Sequence, residues 1–255
     1  MRILLLSDIH ANLEALQACL EAAPPHDVVM NLGDLVGYGA SPNEVIAQSR
    51  ALGNLFVRGN HDKAVCGLMD TQEFNPVAAL AAHWTRDQLN TENMEWLRSL
   101  PHGPVRMDGV DDVEFVHGSP VDEDEYVVTP PDALALLQDS AVTLTFFGHT
   151  HLQGSFAFNP TATEVKSQGL YPEYQTVGQT ENVEFPIRNS FRYMVNPGSV
   201  GQPRDGDWRA AFAVYDTDRR VVTYWRVPYK LHEAQERIIA ANLPQRLATR
   251  LAAGR

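Results

Sequence analysis

Ile3-Leu4-Leu5-Leu6-Ser7-Asp8-Ile9-His10 is a short apolar run that breaks into an aspartate and a histidine, and the same ending recurs along the chain. Val28–Met30 leads to Gly33-Asp34, and Leu55–Val57 to Gly59-Asn60-His61-Asp62. Val113–Val116 leads to His117-Gly118-Ser119, and Leu144–Phe147 to Gly148-His149-Thr150-His151. Tyr193–Val195 runs into Asn196-Pro197-Gly198-Ser199. Short continuous apolar runs bounded by glycine and polar residues are the pattern of strands buried on both faces. Loops leaving the carboxyl ends of such strands converge on one crevice, which would gather the polar endings in one place.

Between the early runs the spacing predicts helices. Residues 11–22 place Leu13, Leu16 and Leu20 at helical intervals. Ser41-Pro42-Asn43-Glu44 offers a cap, a proline in the first turn and an acidic residue, a helix start. One or two helices are expected over 76–99. Strand–helix alternation points to βαβ units and an α/β fold. The second half reads as strands with little helix between them, including a hairpin turning at residues 216–219, then helix again over 229–252, interrupted at Pro244. Residues 159–190, with Pro160, Gly169, Pro172, Gly178 and Pro186, show no periodicity and are expected to form an irregular excursion from a single domain spanning 1–255. The acidic stretch Asp122 to Glu125 reads as a solvated loop.

The chain has 255 residues, 44% of them hydrophobic, enough for a sizeable core. Lys+Arg 20 against Asp+Glu 32 gives a net charge of −12, which opposes stable binding along nucleic acid or an anionic membrane. Cys19 and Cys66 fit no disulfide framework or thiolate metal site. The apolar run at residues 3–6 is too short for a signal peptide, so a cytoplasmic setting is expected.

Asp8, His10, Asp34, Asn60, His61, His117, His149 and His151 form the converging set. His26, His83, His102 and His232 have no comparable placement. Each residue alone reads as a cap, a turn former or a bonded core side chain, but independent structural needs do not explain the recurrence at successive strand ends. Imidazole, carboxylate and amide oxygen without thiolate suit Mn, Fe, Co, Ni or Zn. Asp8, His10, Asp34, Asn60, His117, His149 and His151 are too many for one tetrahedral ion and enough for two, so one carboxylate must bridge. Two cations among so few carboxylates leave local positive charge, so an acidic protein can still attract phosphate.

In order, Asp8-Ile9-His10, Gly33-Asp34, Gly59-Asn60-His61-Asp62, His117 and Gly148-His149-Thr150-His151 resemble the motifs of calcineurin-like metallophosphoesterases, and the resemblance extends to Gly201. It implies a four-layer αββα sandwich, two mixed β-sheets flanked by helices, around a dinuclear site with manganese the favoured ion. It further implies that Asp8, His10 and His151 hold one metal, that Asn60, His117 and His149 hold the other, and that Asp34 bridges them. His61 matches the residue that contacts the reacting phosphate and protonates the leaving oxygen, and Asp62 would orient its ring. The implied reaction is in-line attack on phosphorus by a hydroxide lying between the metals.

Two departures bear on the substrate. Protein Ser/Thr phosphatases and diadenosine tetraphosphatases carry Asp-Arg where this chain has Gly37-Tyr38, and Glu where it has Asp62. Losing that arginine removes a bidentate phosphate clamp. The stretches from Gly33 to Glu44 and from Gly198 to Asp205 resemble the small bacterial phosphodiesterase-like branch instead. The expectation is a phosphodiesterase for a small nucleotide or cyclic nucleotide, with Tyr38, Arg58 and Arg204 as candidate substrate contacts. The alternatives are a phosphomonoesterase or a dinucleoside polyphosphate hydrolase. A non-catalytic protein-binding scaffold is disfavoured because every motif residue is retained. Homo-oligomerisation is left open.

Overall fold

A computed structural model describes residues 1–255 apart from Asn54 and Glu73. Its first sheet has the order β3 (Leu55–Phe56), β2 (Val28–Asn31), β1 (Arg2–Leu6), β10 (Ala210–Asp216), β11 (Val221–Val227) and β8 (Glu181–Pro186). The second runs β4 (Val113–Phe115), β5 (Leu144–Phe146), β9 (Arg192–Asn196), β6 (Gly154–Phe158) and β7 (Ser167–Leu170). Each sheet is parallel on one side and antiparallel on the other. The strands expected before the polar endings are β1 to β5 and β9, and the expected hairpin joins β10 to β11.

Strand β1 explains the layering. Its side chains alternate across the sheet, and Ile3, Leu4, Leu5 and Leu6 are all fully buried. Ile3 and Leu5 join Met30, Phe115, Phe146, Val195 and Tyr215 in a core between the two sheets. Leu4 and Leu6 face outward into a second core with helices α1 (Leu13–Ala22), α2 (Pro42–Leu52), α4 (Pro76–Gln88), α7 (Leu231–Ala240) and α8 (Gln245–Ala253). The outer face of the second sheet buries Phe147, Phe156, Phe158 and Met194 against Ala133 and Leu137 of α6 (Pro130–Asp139). Burying a large aliphatic or aromatic side chain is worth about 1.5–3 kcal/mol, so a strand buried on both faces stabilises two cores at once. The result is helix, sheet, sheet, helix. Two more helices, α3 (Asn60–Val65) and α5 (Thr91–Arg98), complete the first half. No helix of the described residues is long and apolar enough to cross a membrane.

Residues 159–190 are not irregular throughout, because they contain β7 and β8, an edge strand of each sheet. The β8 sequence, Glu181-Asn182-Val183-Glu184-Phe185-Pro186, alternates partly buried and exposed positions. Its polar content hides it from a reading based on apolar runs, since pairing with β11 supplies what propensity does not. Tyr174 anchors this segment: its hydroxyl donates to Gln153 Oε1 at 2.6 Å, and the guanidinium carbons of Arg209 and Arg226 lie 5.3 and 5.8 Å from its ring centre. Ser41 begins α2 by position, but its side chain makes no cap hydrogen bond.

Candidate metal centre

Loops after β1, β2, β3, β4 and β5 bring Asp8, His10, Asp34, Asn60, His61, His117, His149 and His151 together, all of them buried. Donor atoms of Asp8, His10, Asp34 and His151 form one group lying within 4.8 Å of one another, and those of Asp34, His117 and His149 form a second. Asp34 belongs to both. Its Oδ2 lies 3.6 Å from His10 Nε2 and 3.5 Å from His117 Nε2. Asn60 Oδ1 is 3.3 Å from His117 Nε2, and His151 Nε2 is 3.3 Å from Asp8 Oδ1.

The backbone is strained to achieve this. Asp8, His10, Asp34, His149 and His151 have φ of 53°, 50°, 55°, 65° and 62°. Left-handed backbone costs a non-glycine residue about 1–2 kcal/mol, and such strain persists only where the surroundings over-determine it. Here they do. Asp8 N–H donates to Gly33 O at 3.0 Å, His10 N–H to Asp34 O at 2.9 Å, and Gly201 N–H to Asp8 O at 3.0 Å. Gly59 allows a close approach to the shared carboxylate, since a Cβ there would lie 2.1 Å from Asp34 Oδ1.

The imidazoles fit a pair of cations. His10 Nδ1 donates to Val36 O (3.1 Å), His117 Nδ1 to Leu32 O (2.7 Å), His151 Nδ1 to Gln202 O (2.6 Å) and His149 Nε2 to Asp124 O (3.1 Å). A carbonyl can only accept, so each ring has its proton on that nitrogen, and the other nitrogen of a neutral ring is a lone pair. These second nitrogens face one another, His10 Nε2 to His151 Nε2 at 3.0 Å and His117 Nε2 to His149 Nδ1 at 3.2 Å. Beside them lie carboxylates, and Asp8 Oδ1 has no hydrogen-bond partner. Converging lone pairs of this kind repel unless protons or cations lie among them, and nitrogen with hard oxygen suits borderline divalent metals.

Burial pushes His10 and His151 down, and His149 down to about 3. His117 is the exception: burial opposes its charge, but the Asp34 carboxylate prevails and raises it to about 9. Asp34 is correspondingly lowered, its burial overcome by His117 and His61. Burial presses His61 down to about 4 despite Asp34. Its ring centre lies 4.4 Å from that of Tyr38 and 4.7 Å from that of Phe74. Together with Asn60, Tyr126 and His149, these residues line a cavity of about 190 Å³.

Three expectations need revision. Asp62 makes no hydrogen bond to the His61 ring, whose Nδ1 is buried without a partner. The Asp62 carboxylate instead accepts the backbone N–H groups of Asp34 (2.9 Å), Gly59 (3.0 Å) and Val36 (3.3 Å), clamping the loop that presents Asp34. Arg58 is held bidentately by Glu123 at 2.9 and 2.8 Å, which leaves little of its fork for a ligand. The stretch 122–125 is therefore not merely a solvated loop: Glu123 and Asp124 also bind Lys63, and Asp124 O orients His149. Arg204 does approach the site, its Nη2 3.4 Å from Tyr38 Oη. Sequence reading missed Ser7, which donates to Asp8 Oδ2 at 2.6 Å, and Asn196, which holds Gly148 O at 2.8 Å. Both adjoin or belong to the strand endings already quoted, and that adjacency was the available signal.

A family model described as calcineurin-like phosphoesterase matches residues 1–153. An uncharacterized protein of Methanocaldococcus jannaschii is 34% identical over 255 residues, covering 99% of this chain and 98% of that one. A metallophosphoesterase structure from Sphaerobacter thermophilus is 40% identical with a TM-score of 0.83, covering 100% of this chain and 99% of that one. A hypothetical protein from Pyrococcus horikoshii, 21% identical with a TM-score of 0.75 and covering 100% of this chain and 98% of that one, shares the fold. With its two sheets and candidate metal-ligand cluster, the chain belongs to the calcineurin-like metallophosphoesterases, a family of metal-dependent phosphoester hydrolases.

Proposed function

We propose that the protein is a dinuclear phosphodiesterase acting on a small nucleotide. The observation that carries this reading is the single oxygen of Asp34 common to two groups of buried donors. Asp8, His10 and His151 would hold one cation, Asn60, His117 and His149 the other, with Asp34 between them. Nitrogen and oxygen donors without thiolate suit Mn, Fe, Co, Ni or Zn, and manganese is the ion the family resemblance favours. Bound there, two such ions would supply Lewis-acid charge and lower the pKa of water beside them.

The chain's own residues supply the rest. His61 gives a proton to the leaving oxygen; an anionic phosphate beside the ring favours its charged form and offsets the effect of burial. Asp62 acts as a positioning residue through the backbone of Asp34. Tyr38, Phe74 and Tyr126 offer aromatic walls to a base or another flat group. The Gly37-Tyr38 pair puts no arginine where a monoester dianion would be gripped, which supports the diester preference. A net charge of −12 opposes long polyanions and agrees with a small substrate met in the cytoplasm.

The test is hydrolysis of bis-(p-nitrophenyl) phosphate and of p-nitrophenyl phosphate by chelator-stripped protein, before and after Mn²⁺ is restored. Diester turnover should require the metal and fall roughly 10²–10⁴-fold in His61→Ala, the usual weight of a general acid. Turnover of the monoester alone would overturn the diesterase assignment. Undiminished activity in His61→Ala would remove that residue from the chemistry.

A further inference from the structure

We propose that Arg204 and Arg250 form a second anion subsite beside the candidate metal centre, so that the substrate carries a second phosphate besides the one cleaved. This rests on the phosphoesterase reading above and narrows its substrate. The guanidinium carbons of Arg204 and Arg250 lie 5.8 and 5.7 Å from the centre of the Tyr38 ring. That ring in turn stands 4.7 Å from His10 and 4.4 Å from His61. Both cations are thus one aromatic ring away from the residues placed around the reacting phosphorus. Tyr38 is itself one wall of the cavity beside His61.

Arg204 is poorly partnered. Its Nη2 makes long contacts of 3.4 Å to Tyr38 Oη and Gln202 Oε1, and its Nε is buried with no hydrogen-bond partner. Among the described residues no carboxylate oxygen lies within 4.0 Å of it, whereas Arg58, Arg209 and Arg226 each pair with an acidic side chain. Arg250, from α8, is half-buried against the same ring; burial and then the neighbouring charges of Arg204 and Arg246 pull its pKa down. Like charges gathered at a water-poor surface repel, and an anion reaching both relieves the repulsion. The guanidinium fork is shaped for a phosphate. Among small nucleotides this favours those with a second phosphate over a cyclic mononucleotide.

The test is calorimetric titration of the Mn²⁺-loaded protein with AMP and with the non-hydrolysable α,β-methylene analogue of ADP. Wild type should bind the diphosphate at least ~10-fold more tightly, the scale of one charge-assisted hydrogen bond. Arg204→Gln and Arg250→Gln should each bring that ratio towards unity, and Arg250→Lys, which keeps the charge, should retain part of it. Because each ratio is measured within one preparation, a general loss of stability does not imitate the effect. Equal affinities in wild type, or an undiminished ratio in both glutamine variants, would overturn the proposal. Absence of diester turnover with the ratio intact would count against the diesterase reading alone.

Discussion

Gly37→Ala tests the packing that holds His61 in place. The residue has φ of +87°, and a Cβ there would lie 2.5 Å from His61 Nδ1 and 3.1 Å from its Cγ. Left-handed backbone alone costs an alanine about 1–2 kcal/mol. Forcing a methyl into a filled site adds about 1–3 kcal/mol if nothing moves. Gly178→Ala isolates the first contribution, since that glycine has φ of +76° and nothing within 4 Å of the added carbon. With roughly 2–4 °C per kcal/mol for a chain of this size, Gly178→Ala should lower the melting temperature by about 2–8 °C. Gly37→Ala should fall further if His61 stays put. If the ring yields instead, the two melting temperatures converge, but Gly37→Ala alone loses turnover because the proposed proton donor, His61, is displaced. Melting curves and Mn²⁺-dependent turnover on both variants separate these outcomes. A Gly37→Ala protein that melts with Gly178→Ala and turns over like wild type would show that Gly37 does not hold the His61 ring in place.

Two further predictions follow from particular bonds. Asp62→Ala strands the amides of Asp34, Gly59 and Val36 and should weaken Mn²⁺ binding ~10–100-fold, as loss of a supporting partner does; unchanged affinity by calorimetry would separate the Asp62 clamp from the metal centre. Glu123 is held at about 2, its burial outweighed by Arg58 and Lys63. A carboxyl lowered on folding contributes stability above its ordinary value of 4.5 and loses it as pH falls towards about 2. Glu123→Gln should therefore be less stable than wild type at pH 7, with the gap closing on acidification, and denaturant titrations across that range that show a constant gap would contradict this.

The first half of the molecule was legible because its strands are apolar on both faces and end abruptly in chemistry. The β1 run and its Ser7-Asp8-Ile9-His10 ending disclose both a central strand and two donors. The edge strand β8 was hidden by its alternating glutamates and asparagine, and only its partner β11 gives it a reason to be extended. In the site, residue types were readable and partners were not. Arg58 reads as a free arginine until the fold brings up Glu123, 65 positions later. Asp62 reads as the companion of its neighbour His61, yet a short helix points its carboxylate back at three amides. Arg250 lies in a helix far beyond the matched residues 1–153, and no local pattern ties it to Tyr38.

The position of β1 has a bearing on how the chain reaches this state. It lies between β2, which follows after one helix, and β10, with Arg2 opposite Asp216 across 214 positions. During synthesis the early βαβ unit can assemble while the other edge of β1 stays open, a row of unsatisfied amides and carbonyls beside fully apolar side chains. Such an edge invites pairing with other chains. Closing it waits on the last strands and on a large loop entropy, a topology that folds slowly. The strand that begins the candidate metal centre is thus among the last to be enclosed, and the nascent protein is most prone to aggregate while that site is half built.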